Sequence, residues 1–246
     1  MEGTAFANRE RTGSAPRPPV QSLSKALDVL EAFSFERPEL ALGELSAAVG
    51  LPKSTVHKVA RTLVDRGYLV QDPETRRYRL GLSTWHLGSV AIAPLDVRTA
   101  AAGHLRRLAA DTGEQVTLWV LEHDLAICVD RVDSAHQVRT YTRLGTARDP
   151  LDLAAGRCLL AWQAGRSDGD ARLRRIRERG YETTDADPAT GRGVAAPIRD
   201  GHGAVTAATT VSGPTNRFGS AAVKRILPDL LGATGAISAA LGHRAR

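Results

Sequence analysis

Hydrophobic positions in the first third of the chain recur at helical spacing and then give way to two short β-rich runs. Apolar residues three or four positions apart predict helices over about 22–33, 42–49 and 52–66. Two strands, over 68–70 and 77–80, flank a turn-forming Asp-Pro-Glu-Thr run. This half of the chain therefore predicts three helices followed by a hairpin.

The remainder of the chain alternates between helical and β-rich segments. A mostly helical connector over 83–97, interrupted by Pro94, precedes a helix that ends at Gly113. Further strands are expected over 115–121, 125–132, 138–144, 193–198 and 204–211, and further helices over 153–164, 168–179 and 219–241. Helices that precede, separate and follow strands in this way predict an α+β fold.

The composition is that of a globular protein with a basic surface. Hydrophobic residues make up 42% and charged residues 24%, which excludes disorder over the whole length. Lys and Arg number 33 against 27 Asp and Glu, so the formal net charge is +6. No uncharged apolar run of about 18 residues is present, and no apolar leader precedes the first helix. We therefore expect a cytoplasmic protein that does not bind membranes.

Positive charge is concentrated around the third helix and the hairpin. Between positions 50 and 80, seven basic residues are opposed by three acidic ones, which leaves +4 on 31 residues. A surface of this kind attracts polyanions at long range, although many basic surfaces are only solvated. The arrangement of the charges therefore decides more than their number.

The third helix has an apolar face and a polar face. At about 100° per residue, Val56, Ala60 and Leu63 fall together and are expected to pack on the first two helices. The opposite face and its flanks carry hydroxyls and cations, from Lys53, Ser54, Thr55, His57, Lys58 and Arg61. In a major groove, short polar side chains reach base edges while Lys and Arg neutralise phosphates. We therefore predict that these residues bind DNA.

The hairpin adds a second basic element beside that helix. Arg76, Arg77 and Arg79 lie on or next to the returning strand, and a period of two places Arg77 and Arg79 on one face. A basic ribbon beside a recognition helix can hold the DNA backbone or enter the minor groove. Either element alone is usually a solvated surface. Their adjacency favours a winged helix-turn-helix that binds double-stranded DNA.

Several motifs in this region resemble one family of regulators. The stretch Leu51-Pro52-Lys53-Ser54-Thr55-Val56-His57-Lys58, continuing to Thr62-Leu63, Arg66-Gly67-Tyr68 and Tyr78-Arg79-Leu80-Gly81, is similar to the DNA-binding domain of IclR-type transcriptional regulators. The resemblance covers about 20–243. It implies a winged helix-turn-helix joined by a linker helix to a GAF-like α/β effector-binding domain. Lys58 stands where the family often has arginine, which keeps phosphate attraction but loses bidentate hydrogen bonding.

The resemblance and the element pattern together predict four segments. We expect a disordered tail over 1–19, the winged helix-turn-helix over 20–82, a linker helix over 83–97, and an effector-binding and oligomerisation domain over 98–246.

Segments of the second half resemble those that frame the effector pocket of this family, whose ligand is commonly a small carboxylate. Small residues at the start of the helix near 154 let backbone N–H groups approach an anion, and hydroxyls two apart on a strand point to one face. A loop near 184 would cover the opening. The expected effector-binding residues are Ala154, Ala155, Gly156, Thr184, Asp185, Asp187, Gly193, Thr210 and Ser212.

The residues and their spacing predict no enzyme, and we expect no cofactor and no metal site. Cys158 with His104 or His136 lacks any spacing typical of a nucleophile and its base, and we interpret it as a core cysteine. Apolar residues such as Leu23 and Trp85 suggest partner surfaces of a homodimer or tetramer on a palindromic operator. Two functions remain open: a regulator controlled by a small effector, and an architectural DNA-binding protein whose C-terminal domain only oligomerises.

Overall fold

The computed structural model describes residues 20–93, 96–163, 165, 169–184 and 191–244, and the chain divides into two compact units, 1–94 and 95–246. The expected tail over 1–19 lies outside the described residues. Within the described residues, no helix is long and apolar enough to span a membrane.

The first unit contains the predicted three helices and hairpin. Its elements are α1 (Gln21–Glu31), β1 (Glu39–Leu40), α2 (Leu42–Val49), α3 (Lys53–Asp65), β2 (Leu69–Gln71), β3 (Tyr78–Leu80) and α4 (Leu82–Ile92). The three strands form an antiparallel sheet in the order β1-β3-β2. The two-residue strand β1 is not evident in the sequence pattern. Helix α4 occupies most of the segment expected to be a linker.

A small hydrophobic core holds this unit together. Val29 of α1, Leu45 of α2, Val56 and Ala60 of α3 and Leu69 of β2 are all buried in one cluster. Each helix contributes the apolar positions that repeat every three or four residues. Burial of that apolar face lowers the free energy of the folded state, whereas burial of the polar face would not. The polar face of α3 is consequently directed to solvent.

The second unit is an antiparallel sheet with helices on both faces. Its elements are α5 (Asp96–Thr112), β4 (Gln115–Glu122), β5 (Leu125–Val132), β6 (Ala147–Arg148), a 3₁₀ turn (Pro150–Asp152), α6 (Ala154–Ala161), α7 (Ala171–Arg179), β7 (Glu182–Thr183), β8 (Arg192–Arg199), β9 (Val205–Gly213) and α8 (Ser220–Ala240). The six strands are ordered β6-β5-β4-β9-β8-β7. The predicted α+β class is confirmed.

Strand alternation divides the core of the second unit into two layers. Leu118 and Val194 face α5 and α8, where they join a buried cluster that includes Ile237. Trp119 and Ala195 face the other way, into a cluster built mainly by α6 and α7. Successive side chains of a strand point to opposite faces, so each central strand contributes to both layers.

The strand predicted over 138–144 is wrong. That segment is irregular. The next strand is β6, which pairs with the N-terminal end of β5 at Ala126 and Ile127. Side chains take the place of a neighbouring strand here. The N–H of Thr142 donates to Gln115 Oε1 at 2.9 Å, and its carbonyl accepts from Arg131 Nη1 at 2.9 Å. Because these side chains bond both the N–H and the carbonyl of Thr142, this residue does not need backbone hydrogen bonds from a neighbouring strand.

Candidate DNA-binding surface and effector site

The outward face of α3 carries the predicted cations and hydroxyls. Val56 and Ala60 are fully buried. On the opposite side, the structure exposes Lys53, Ser54, His57, Lys58 and Arg61, while Thr55 is half-buried. One helix therefore combines a face that packs on α1 and α2 with a face that is available to a ligand.

The first turn of α3 presents open backbone donors. Pro52 is the residue before α3, and no described side chain caps the N-terminus of this helix. The N–H groups of Thr55 and Val56 donate to the Pro52 carbonyl, whereas those of Lys53 and Ser54 have no acceptor within the helix. With no carboxylate in the first turn, the positive end of the helix dipole is left for an anion.

The turn between β2 and β3 is held by its own side chains. The Asp72 carboxylate accepts from the N–H groups of Glu74 at 3.0 Å and Thr75 at 2.7 Å, and from the Thr75 hydroxyl at 2.9 Å. These hydrogen bonds, those of Thr75 first, lower the pKa of Asp72. The hairpin over 69–80, here called the wing, therefore keeps a defined shape beside α3.

The three wing arginines differ in their surroundings. Arg76 and Arg79 are exposed. Arg77 is half-buried, and its Nη2 donates to Glu44 Oε2 at 2.7 Å and to the Glu39 carbonyl at 3.2 Å. The carboxylate of Glu44 also accepts from the N–H of Ala41 at 2.7 Å, at the start of α2. A phosphate that approaches Arg77 would have to share this arginine with Glu44, a partner that sequence reasoning missed.

In the second unit, several predicted effector residues lie together on the sheet face toward α6. Register pairs Thr210 of β9 with Thr117 of β4 and with Ala195 of β8, and Ser212 with Gly193. The Oγ1 of Thr210 is buried and has no hydrogen-bond partner among the described residues. A Cβ placed on Gly193 would lie 3.0 Å from Thr210 Cγ2, so glycine at this position lets the Thr210 methyl group pack closely against β8.

Other polar groups of the cluster are already paired. Thr117 Oγ1 accepts from Trp119 Nε1 at 2.8 Å, and the Ser212 hydroxyl lies 3.2 Å from that of Thr140. Thr184 Oγ1 accepts from the Gly193 N–H at 2.6 Å. Asp185 and Asp187, predicted to cover the opening, lie outside the described residues. The cluster therefore offers one unsatisfied hydroxyl among several satisfied ones.

The small residues at the start of α6 are buried, and one of them has a packing role. Ala154, Ala155 and Gly156 all lie in the interior. A Cβ on Gly156 would lie 2.2 Å from the Pro150 carbonyl oxygen, so the 3₁₀ turn requires glycine here. Leu153, the residue before the helix, has no side chain that can accept from the first N–H groups of α6, and no other described side chain caps them. The first N–H groups of α6 thus remain available to an anion.

An open cavity of about 300 Å³ lies next to this cluster and shares Thr140 with it. It is lined by residues 138–140, Gly191 and residues 214–216. Because the Thr140 hydroxyl contacts Ser212, the cavity is adjacent to Ser212. Thr210 does not line it. Sequence reasoning missed Thr140, which lies in the segment wrongly predicted as a strand.

The two cysteines do not form a reactive site. Cys158 is fully buried, and its Sγ lies 3.5 Å from the Ala195 carbonyl oxygen. Burial raises the pKa of the Cys158 thiol, and raises that of Cys128 to about 12. A nucleophilic thiol requires the opposite shift, so both cysteines are structural. The described residues contain no group of three potential metal ligands.

Comparison with protein families matches both units. The model of the IclR helix-turn-helix domain matches residues 22–73. The model of the bacterial transcriptional regulator IclR C-terminal domain matches residues 90–170 and 168–239. The two matches together cover most of the chain.

Individual relatives agree with the family models. The HTH-type transcriptional regulator KdgR of Escherichia coli strain K12 is 30% identical over 247 residues, which is 91% of this chain and 94% of that protein. The HTH-type transcriptional regulator XynR of the same strain is 32% identical over 173 residues, which is 70% of this chain and 66% of that protein.

A solved structure with the same fold contains a ligand. An IclR homologue from Microbacterium hydrocarbonoxydans, crystallised with 4-hydroxybenzoate, is 25% identical with a TM-score of 0.72, covering 89% of this chain and 98% of that one. The matching relatives are regulators, so the enzymatic interpretation is set aside. The chain belongs to the IclR family of bacterial transcriptional regulators, with an N-terminal DNA-binding helix-turn-helix and a C-terminal effector-binding domain.

Proposed function

We propose that this protein binds a palindromic DNA operator through α3 and the wing, and that a small carboxylate bound beside α6 changes its affinity for that operator. The observation that carries the DNA half of the proposal is the two-sided character of α3. Val56 and Ala60 anchor one face in the core, while Ser54, Lys58 and Arg61 are exposed on the other.

The proposed contacts differ in role along α3 and the wing. Lys53, Ser54, Thr55 and His57 lie in the first turns, where a helix inserted into a major groove reaches base edges. Lys58, Arg61, Arg76, Arg77 and Arg79 supply cations to the flanking phosphates. Phosphate contacts set the position of the helix on the duplex, and base contacts select the sequence.

A palindromic operator requires two copies of the chain, arranged as a homodimer or a tetramer. Large apolar side chains of α1 and α4 are exposed, including Leu23 and Leu27 on α1 and Leu82, Trp85 and Val90 on α4. Exposed large apolar side chains in such numbers often mark a surface that a partner covers. A second copy placed on these helices would present two α3 helices to one side of a duplex, with half-sites one helical turn or a multiple apart.

The effector half of the proposal is supported by the α6 site. The uncapped N-terminus of α6 favours an anion, and the buried, unsatisfied Thr210 hydroxyl can donate to a carboxylate oxygen. The homologue from Microbacterium hydrocarbonoxydans binds 4-hydroxybenzoate, which is a carboxylate.

In vitro selection of duplexes, followed by titration of the selected operator and of random DNA, tests the DNA proposal. A specific regulator should prefer its operator by about 10³-fold or more at the same salt concentration. Equal affinity for both duplexes would favour the alternative, an architectural protein whose C-terminal domain only oligomerises. No binding to any duplex at low salt would refute both.

A thermal-shift screen with small carboxylates tests the effector proposal, with 4-hydroxybenzoate as the first probe. A ligand that stabilises the wild type and also changes operator affinity supports it, because binding to the folded state raises stability by mass action. The T210V variant serves as a matched control, since it replaces the hydroxyl by a methyl group of similar volume. Stabilisation of T210V equal to that of the wild type would place the ligand elsewhere.

A further inference from the structure

The start of α4 is attached directly to the end of α3, although the whole wing separates them in sequence. The Gly81 N–H donates to the Tyr68 carbonyl at 2.7 Å, and the Ser83 N–H donates to the Gly67 carbonyl at 3.3 Å. The Ser83 hydroxyl donates to the carbonyl of Arg66, the residue that follows α3, at 3.2 Å. Three hydrogen bonds thus join the start of α4 to the segment that follows α3 across 13 to 17 positions, which restricts rotation of α4 relative to α3.

This attachment depends on two glycines in close contact. A Cβ on Gly81 would lie 2.0 Å from the Gly67 carbonyl oxygen, a distance at which the two segments must separate. Gly67 itself has φ +73°, and a Cβ there would lie 2.8 Å from Ser83 Oγ. We call the contact of Gly67, Gly81 and Ser83 the α3–α4 junction. Its backbone groups meet without intervening side chains, so it has little freedom to adjust.

The junction connects the proposed DNA-reading helix to part of the proposed dimer surface. Leu82 and Trp85, at the start of α4, are 82% and 63% exposed. If these residues contact the second copy, the path from one α3 to the other passes through two junctions. The angle fixed at each junction then determines how far apart, and in what relative rotation, the two α3 helices lie.

We propose that the α3–α4 junction sets the spacing between operator half-sites that this protein accepts. This inference rests on the proposed function, because it requires a dimer that reads two half-sites through α3. Successive base pairs are separated by about 3.4 Å and 34° along a duplex, so a small change of angle at the junction favours a different spacing. The bases read within each half-site depend on α3 itself and are unaffected.

The test uses the full chain and a set of duplexes that carry the selected half-site twice, with the spacer lengthened or shortened one base pair at a time. The wild type should show one preferred spacing, with neighbouring spacings weaker by about tenfold, since a misplaced half-site loses base contacts. G81A should shift or broaden this profile. S83A, which only removes a hydroxyl, should flatten it less.

The matched control is G103A, the same substitution at an exposed position of α5 where an added Cβ meets nothing within 4 Å. Thermal unfolding of each variant establishes whether it is folded. If G81A does not fold, S83A provides the test. A shifted or flattened profile with unchanged base preference within the half-site supports the inference. An unchanged profile, or weakening equal at every spacing, overturns it. If the wild type lacks sequence-specific binding, the proposed function itself fails, and this inference with it.

Discussion

Replacing Arg61 by alanine tests whether the outward face of α3 lies against a DNA backbone. Arg61 is exposed and follows Ser54 by seven positions, which places both on the same side of the helix two turns apart. A phosphate contact displaces counterions, so each one adds about 0.9 to the slope of log affinity against log salt concentration. We expect R61A to lower that slope by about 0.9 for each bound protomer, or about 1.8 for two.

The change in slope corresponds to a measurable change in affinity. Between about 50 and 200 mM salt, the ratio of wild-type to R61A affinity should fall roughly 3.5-fold for one lost contact and roughly 12-fold for two. The wild type has the larger advantage at low salt, because screening weakens the contact that only it can make.

Fluorescence anisotropy with a labelled duplex, titrated at four or more salt concentrations, measures these slopes for both the selected operator and random DNA. R106A is the matched control, since Arg106 is exposed on α5 and its loss changes the net charge by the same amount. Parallel lines for the wild type and R61A would show that Arg61 touches no phosphate. A slope lowered equally by R106A would assign the effect to overall charge.

Three further predictions concern base reading, the effector site and the cysteines. Alanine at Ser54 or Thr55 should reduce discrimination at one base pair by about 1–3 kcal/mol in competition with single-base operator variants; equal weakening on operator and random DNA would contradict base reading. The T210V variant removes a buried hydroxyl without a partner in the described chain, so its Tm should be unchanged or higher; a clearly lower Tm would indicate that the hydroxyl is hydrogen-bonded. Because burial raises the pKa of Cys128 to about 12 and also raises that of Cys158, neither thiol should react with dithiobis(nitrobenzoate) at pH 8 until guanidinium unfolds the chain. Rapid labelling of the native protein would show that the thiols are accessible.

Local patterns predicted the elements whose conformation depends on nearby residues. The helix predicted over 42–49 coincides with α2, and the strands predicted over 115–121 and 125–132 match β4 and β5 to within one residue. Apolar periodicity and turn-forming residues are local signals, and the buried face of each element follows from them directly. The outward face of α3 was predicted for the same reason.

Long-range hydrogen bonds decided the features that those patterns missed. The segment 138–144 has the composition of a strand, but Gln115 and Arg131 bond the backbone at Thr142 and hold it as a loop. Arg77 was grouped with the other wing arginines, yet Glu44, 33 positions away, holds it in an ion pair. Partners this distant in the chain leave no periodic signal in the sequence.

The amino-acid order alone therefore determined the helices, most strands, the α+β class and the basic polar face that marks a DNA-binding element, because each follows from spacing along the chain. Tertiary structure alone decided that the Thr210 hydroxyl lacks a partner among the described residues while those of Thr117 and Ser212 are paired, and that Gly67 and Gly81 bring the ends of α3 and α4 into contact. Those properties depend on which distant backbone and side-chain groups meet, and such meetings are settled only when the core has packed.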